Sequence, residues 1–294
     1  MTFDEFVQVI MEEITDYLLQ YDVETIHIND VKKNNGVGCT GMSIIVKEKT
    51  ISPNIYLDYY YSLYLKGKGI EDILILIAKE YVEAMGNIGE MEKEMVTAGM
   101  NPNNVFLRLV NYERNKEVIS YCPHIKFHDL AITFRCLFET EQHAVASCLI
   151  RDEDMGKWDI SQEELFNIAR KNTIKMFPPK IKKLEDMLAE MLIDKEGIPR
   201  GDNLYVLTNE QGVNGATYLL YDEIIKQFAE HANSNVFILP SSIHEVLLLP
   251  DDGQYDKDEL QDMVREINRY VVSPVDYLSD NVYIYDIEKE DISY

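Results

Sequence analysis

The sequence predicts an α+β protein, with antiparallel hairpins and sheets packed with helices in two units. Three observations predict it. Short strand-like stretches come in neighbouring pairs joined by turn residues, as antiparallel hairpins require. Between them stand segments with apolar residues three and four apart, the helical spacing. No regular strand–helix–strand alternation runs through the chain, which argues against a doubly wound parallel sheet.

The first unit is expected over residues 1–90. Thr2 and Glu5 form a capping box, and Phe3, Phe6, Val7, Ile10, Ile14 and Leu18 follow on one helical face. "VETIHINDV" (Val23–Val31) alternates as a strand, "KNNGVG" is turn chemistry, and "GMSIIVKE" (Gly41–Glu48) returns as the second strand. "SPNIYLDYYYSLYLKGKG" reads as a short strand or helix entry ending in glycines. "IEDILILIAKEYVEAM" (Ile70–Met85) is a helix. Residues 91–103 read as the linker.

The second unit, 104–294, opens with "VFLRLVNYE". "IKFHDLAITFRCLFE" and "HAVASCLIRDE" then form a long hairpin around Thr140 and Glu141. Ser161 with Glu164 caps a helix to about Met176, which "FPP" stops. A helix over Lys180–Ile193, a loop and the strand "LYVLTN" follow. "NGATYLLYDEIIKQFAEHA" reads as one helix. "NVFILP" and "HEVLLLP" are buried strands, Asp256 with Glu259 caps a helix to about Val271, and "NVYIYDIE" closes the chain.

Composition narrows the function. The formal net charge of -24 disfavours binding to phosphate backbones and anionic membranes, so neither nucleic acid nor a membrane is expected as partner. The segment Met1–Leu18 has no basic start and acids interrupt its apolar residues, so no signal peptide is read there. Cys39, Cys122, Cys136 and Cys148 are scattered as reduced, mostly buried thiols would be, which points to the cytoplasm.

The chemistry-bearing stretches are few. "PSSIHEVLLLPDDG" (Pro240–Gly253) gathers Ser242, His244 and Glu245, a candidate catalytic group in which a serine would pair with the histidine. Against this, no GxSxG or HExxH surrounds them, and neighbours on a strand point to opposite faces. A turn between two core strands explains the same residues. Cys122, His124, His128, Cys136, His143 and Cys148 are metal-ligand types, but their spacing matches no zinc motif. On a single strand His128 and Cys136 would lie about 26 Å apart. No metal and no cofactor are therefore assigned. Tyr56, Tyr60 and Tyr64 form one helical stripe, a candidate binding surface or a packed face. Asn172 and Asn209 are further binding candidates, polar residues among apolar ones. "NEQGVNGA" lacks a phosphate-loop pattern.

"KNNGV", "ISPNIYLDYYYSLY", "FHDLAITFRCLF", "RKNTIKMFPP", "DNLYVLTNEQGVNGATYLLY" and "FILPSSIHEVLLLPDDG" together resemble a bacterial family of unknown function, family 5688, typical of gut anaerobes. The resemblance spans nearly the whole chain. It implies a bacterial, cytoplasmic protein. It also implies that Asn172, Thr173, Asn209, Gly215 and the group Ser241, Ser242, His244 and Glu245 belong to recurring motifs. It carries over no catalytic residue.

The leading expectation is a non-enzymatic protein-interaction module, its partner another protein. The alternative is a small-molecule hydrolase with His244 as general base, helped by Glu245, Asn209 or Asp202, and Ser242 as nucleophile. A DNA mimic would need carboxylates clustered on one convex face.

Overall fold

The computed structural model describes residues 1–49, 51–98, 100–139, 145–191 and 203–294. The chain divides into two compact units. Unit 1 comprises residues 1–33, 37–100 and 137–147; unit 2 comprises 34–36, 101–136 and 148–294.

In unit 1, α1 (Phe3–Glu13) begins at the predicted capping box, with Thr2 Oγ1 accepting from Glu5 N at 3.3 Å. β1 (Val23–Lys32) and β2 (Gly38–Val46) pair antiparallel, and β3 (Asn54–Tyr56) adds to β2. α2 (Leu57–Leu65) and α3 (Ile70–Ala98) follow. Phe6, Ile10, Met42, Ile44, Leu57, Ile73, Ile77 and Tyr81 form a fully buried core. The Tyr81 hydroxyl donates to Ile44 O at 2.9 Å, so even the polar tip of this core is satisfied. α3 extends through residues expected to be linker. "EMEKEM" consists of strong helix formers, and no proline interrupts it before Pro102.

Unit 2 starts with β4 (Val105–Asn111), the short α4 (Lys116–Ile119), β5 (His124–Phe127), β6 (Leu130–Glu139) and β7 (Val145–Leu149). β4 and β5 flank β6 antiparallel, and β7 pairs with β6. The end of the β6–β7 pair, residues 137–147, counts with unit 1. The stretch expected as one strand from Ile125 is thus two. The chain reverses at His128 and Asp129, where His128 takes a left-handed φ of 53° and Phe127 pairs back onto Leu130. The predicted turn at Thr140 and Glu141 lies outside the described residues, as does His143.

α5 (Asp152–Trp158), which the sequence reading missed, precedes α6 (Gln162–Met176) with its Ser161 capping box. β8 (Pro179–Lys183) and α7 (Leu184–Met191) replace the single helix expected from Lys180. The double proline holds the chain extended, and Pro179–Lys183 then pairs with β9 (Tyr205–Asn209). α8 begins only at Asp222 and ends at Ala232. The residues before it, Gly215–Leu220, form a buried 3-10 turn, because the N–H groups of Gly215 and Ala216 donate to His244 O and Ile243 O. β10 (Val236–Leu239), β11 (Val246–Pro250), α9 (Lys257–Tyr270), β12 (Tyr283–Asp286) and β13 (Asp291–Ser293) complete the unit. The six strands run β13-β12-β10-β11-β9-β8, all antiparallel. Leu260 and Val264 of α9 pack on Phe237, Leu239, Leu249 and Val282.

β4 is an edge strand, and α6 closes it. Leu107 N donates to Thr173 Oγ1 at 2.9 Å, and Asn172 Nδ2 donates to Val105 O at 2.9 Å and Pro102 O at 3.2 Å. These bonds occupy backbone groups that would otherwise template another strand.

Candidate functional site

The loop between β10 and β11 carries the serine–histidine–glutamate group, and its backbone is tied down on both sides. Ile243 N donates to Asp276 O at 2.9 Å. His244 O accepts from Gly215 N at 2.9 Å and from Thr208 Oγ1 at 2.9 Å. Gly215 permits this approach, since a Cβ there would stand 2.3 Å from His244 O. β11 starts only at Val246, so His244 and Glu245 sit in the turn before it.

Their side chains part. The His244 ring accepts from Asn214 N at Nδ1 (3.3 Å) and donates from Nε2 to Asp276 Oδ1 (3.2 Å). Glu245 Oε1 accepts from Ser242 Oγ at 3.4 Å and Ser241 Oγ at 3.5 Å, and Glu245 borders a cavity of about 290 Å³ beside Lys180, Lys182 and Thr208. Ser242 is buried, and its Oγ accepts from His244 N at 3.0 Å. Among the described residues no hydrogen bond joins Ser242 Oγ to the imidazole. Asp202, a suggested helper of His244, lies outside the described residues.

Asn209 is buried and closes its own loop. It donates to Val213 O at 2.7 Å and to the Tyr218 hydroxyl at 3.1 Å, and accepts from Val213 N. With Asn172 spent on the edge of β4, both amides hold backbone. The tyrosine stripe does not present three rings to solvent. Tyr60 is 3% exposed and its hydroxyl bonds Glu80, whose carboxylate adds to burial in pushing the phenol up. Tyr64 packs on Phe6, Tyr56 lies under Lys33, and the outward ring of α2 is Tyr59.

The cysteine–histidine candidates do not assemble into a metal site. His124 Nδ1 lies 3.0 Å from the backbone oxygen of Cys122, and His128 packs among Phe127, Tyr283 and Tyr294. Cys136 is buried on β6 and Cys148 lies on β7. Burial pushes the Cys122 thiol up to about 11. Among the described residues no three metal-ligating side chains come together, and no helix is long and apolar enough to cross a membrane.

A wider concavity of unit 2 lies elsewhere, along the C-terminal half of α9 and the loop after it. About 1090 Å³ is bounded by Arg114, Arg265, Arg269, Tyr270, Val271 and Tyr277, among others. α9 ends because Val271 and Val272 both donate back to Ile267 O and Ser273 precedes a proline. The Asn34 amide bonds Val275 O at 2.6 Å, and the Asn35 amide bonds Pro274 O and Tyr277 O, which fixes the loop. The outward face of α9 carries apolar side chains among charged ones. Met263, Ile267, Tyr270 (74%) and Val271 (77%) are exposed at three- and four-residue spacing.

The groove's lining carries three arginines and three carboxylates, Asp262, Glu266 and Asp280. Asp262 pairs with Arg265 at 3.1 Å, and Asp280 accepts the Asn268 amide at 2.8 Å. Arg114 stands 3.5 Å over the Tyr277 ring, and burial together with nearby Asp280 pushes that phenol up to about 12. Among the described residues neither Arg114 nor Arg269 has a carboxylate partner. Sequence reading missed these residues. The available signal was "REINRY", in which Arg265, Arg269 and Tyr270 fall off the Leu260–Val264 core stripe.

The architecture defines an α+β protein of antiparallel sheets with helices. The chain belongs to the family of unknown function DUF5688, whose model matches residues 3–287. No curated protein and no solved structure shows significant similarity to it.

Proposed function

We propose that this chain is a non-enzymatic interaction protein of the bacterial cytoplasm, and that its α9 groove takes an acidic segment of another protein. The observation that carries this is that exposed Tyr270 and Val271 line the groove with Arg114 and Arg269, which among the described residues lack carboxylate partners. Solvent-exposed apolar side chains in contiguous array mark interaction surfaces. Arginine and tyrosine are the residue types enriched where partners bind. Charge complementarity selects the occupant. Three of the chain's eight arginines line this one groove in a protein of net charge -24. The repulsion between an acidic peptide and distant acids is screened within about 8 Å at physiological salt; of the groove's own acids Asp262 is paired with Arg265 and Asp280 accepts the Asn268 amide, which leaves Glu266 against Arg114 and Arg269.

The hydrolase reading finds less support. The imidazole of His244 is bonded at both nitrogens and Ser242 bonds Glu245, so nucleophile and base are not in contact.

The test is fluorescence anisotropy with a labelled peptide of alternating Glu and Tyr, against a Lys/Tyr peptide of equal length. The acidic peptide should bind saturably, and the double variant Arg114→Glu, Arg269→Glu should weaken it at least tenfold, about 1.4 kcal/mol. Equal binding by the double variant, or no binding by the native chain, would remove the proposal.

A further inference from the structure

We propose that Arg108 anchors a second site in unit 2, one that binds a small soluble oxyanion through its guanidinium. The β4–β6 register places Arg108 opposite Thr133 and Phe106 opposite Arg135, so the two arginines share one face of the sheet. Diagonal neighbours of this kind stand about 7–8 Å apart along the backbone. His124 on β5 lies opposite Thr133 and completes the row. In a strongly acidic chain the two arginines put positive charge on one half-buried sheet face.

The guanidinium of Arg108 is unspent. Its Nε is buried and has no hydrogen-bond partner. Among the described residues its terminal nitrogens form no hydrogen bond or ion pair either. Arg170 shows what a structural arginine does in the same unit, bonding Leu220 O and Glu223 at 3.3 Å each. Arg135 is engaged with other groups, so the free fork is that of Arg108. Asp276 is the acid that acts on it, and that carboxylate already accepts from His244 Nε2 at 3.2 Å. Burial, and next to it Arg135, holds Arg108 down to about 10, with Asp276 opposing. It therefore still carries its charge at neutral pH. A cation whose Nε is desolvated and unpartnered is costly to keep. A planar fork of this kind is matched by carboxylate and phosphate oxygens, which it binds in pairs.

The experiment follows the ¹H–¹⁵N resonance of Arg108 Nε in the intact chain, assigned by its loss in Arg108→Lys. Sodium phosphate and sodium succinate are titrated at constant ionic strength, with sodium chloride as control. A saturable shift with phosphate alone assigns a phosphoryl ligand, and one with succinate alone or with both assigns a carboxylate-accepting site. Thermal unfolding should show a rise in midpoint with the same anion that is absent in Arg108→Met. No saturable shift, a shift equal to that of chloride, or an undiminished thermal response in Arg108→Met would overturn the proposal. Should Arg108→Met fail to fold, the titration of the native chain decides alone. The site is independent of the α9 groove, since Arg114→Glu, Arg269→Glu should leave the Arg108 shift unchanged.

Discussion

Gly215→Ala tests why the residues around His244 look like a catalytic group and behave as a locked turn. The added methyl would sit 2.3 Å from His244 O and 2.8 Å from Thr208 Cα and Oγ1. Ordinary contact begins at 3.4 Å, so two backbone segments must separate by roughly 1 Å. That breaks the Gly215 N to His244 O bond and strains the neighbouring Ala216 N to Ile243 O bond. Overpacking costs about 1–3 kcal/mol and the buried, orphaned Gly215 N–H about 1–3 kcal/mol more. A loss of about 3 kcal/mol or more is expected. For a unit of this size that lowers the thermal midpoint by roughly 6–12 °C. The assay is thermal unfolding followed by fluorescence of Trp158, the single tryptophan, which lies in unit 2 and so reports that unit alone. Gly156→Ala is the internal control. Its Cβ meets nothing within 4 Å, and alanine is favoured over glycine in a helix by about 0.5–1 kcal/mol. A Gly215→Ala midpoint within about 2 °C of the native chain would refute the close-approach argument.

Thr173→Val should cost about 1–3 kcal/mol, because it leaves Leu107 N buried without its acceptor; urea unfolding that matches the native chain would show that the edge of β4 does not need α6. Stability should fall as pH rises above about 9. The Cys122 thiol is held up to about 11 and the phenols of Tyr218, Tyr221 and Tyr277 up to about 12, chiefly by burial. Below that pH both states keep these protons and the stability is complete; above it the unfolded chain releases them first and gains relative to the folded one. A urea midpoint at pH 10.5 equal to or above that at pH 8 would contradict this. Asp129→Ala should destabilise unit 2 by about 1–3 kcal/mol, since the Tyr283 and Ser279 hydroxyls, at 2.5 and 2.6 Å from its carboxylate, lose their acceptor. An unchanged midpoint would exclude that network as a support of the fold.

The elements that local chemistry specifies were legible. The capping boxes at Thr2, Ser161 and Asp256 and the β1–β2 hairpin follow from side chains that act on their own backbone. β8 was not legible, because "PKIKK" is a strand only through its pairing with β9, and nothing within the stretch announces that partner. The 3-10 turn at Gly215–Leu220 reads as helix for the same reason: its first two N–H groups are claimed by a loop some thirty residues away in sequence. The motif residues Asn172, Thr173, Asn209 and Gly215 stood out in the sequence, but their geometry gives each a backbone to hold. The α9 groove was hidden by the opposite effect. Arg265 and Arg269 look like ordinary solvated helix charges until Arg114 and Tyr277 are brought beside them.

The most direct test of the interaction account is hydrogen–deuterium exchange on the whole chain with and without the Glu/Tyr peptide. The account predicts slowed exchange confined to residues 257–280, the length of α9 and the loop that ends at Asp280, and to the turn around Arg114. Protection centred on residues 205–212 and 240–245, or no protection at a peptide concentration that saturates anisotropy, would contradict it.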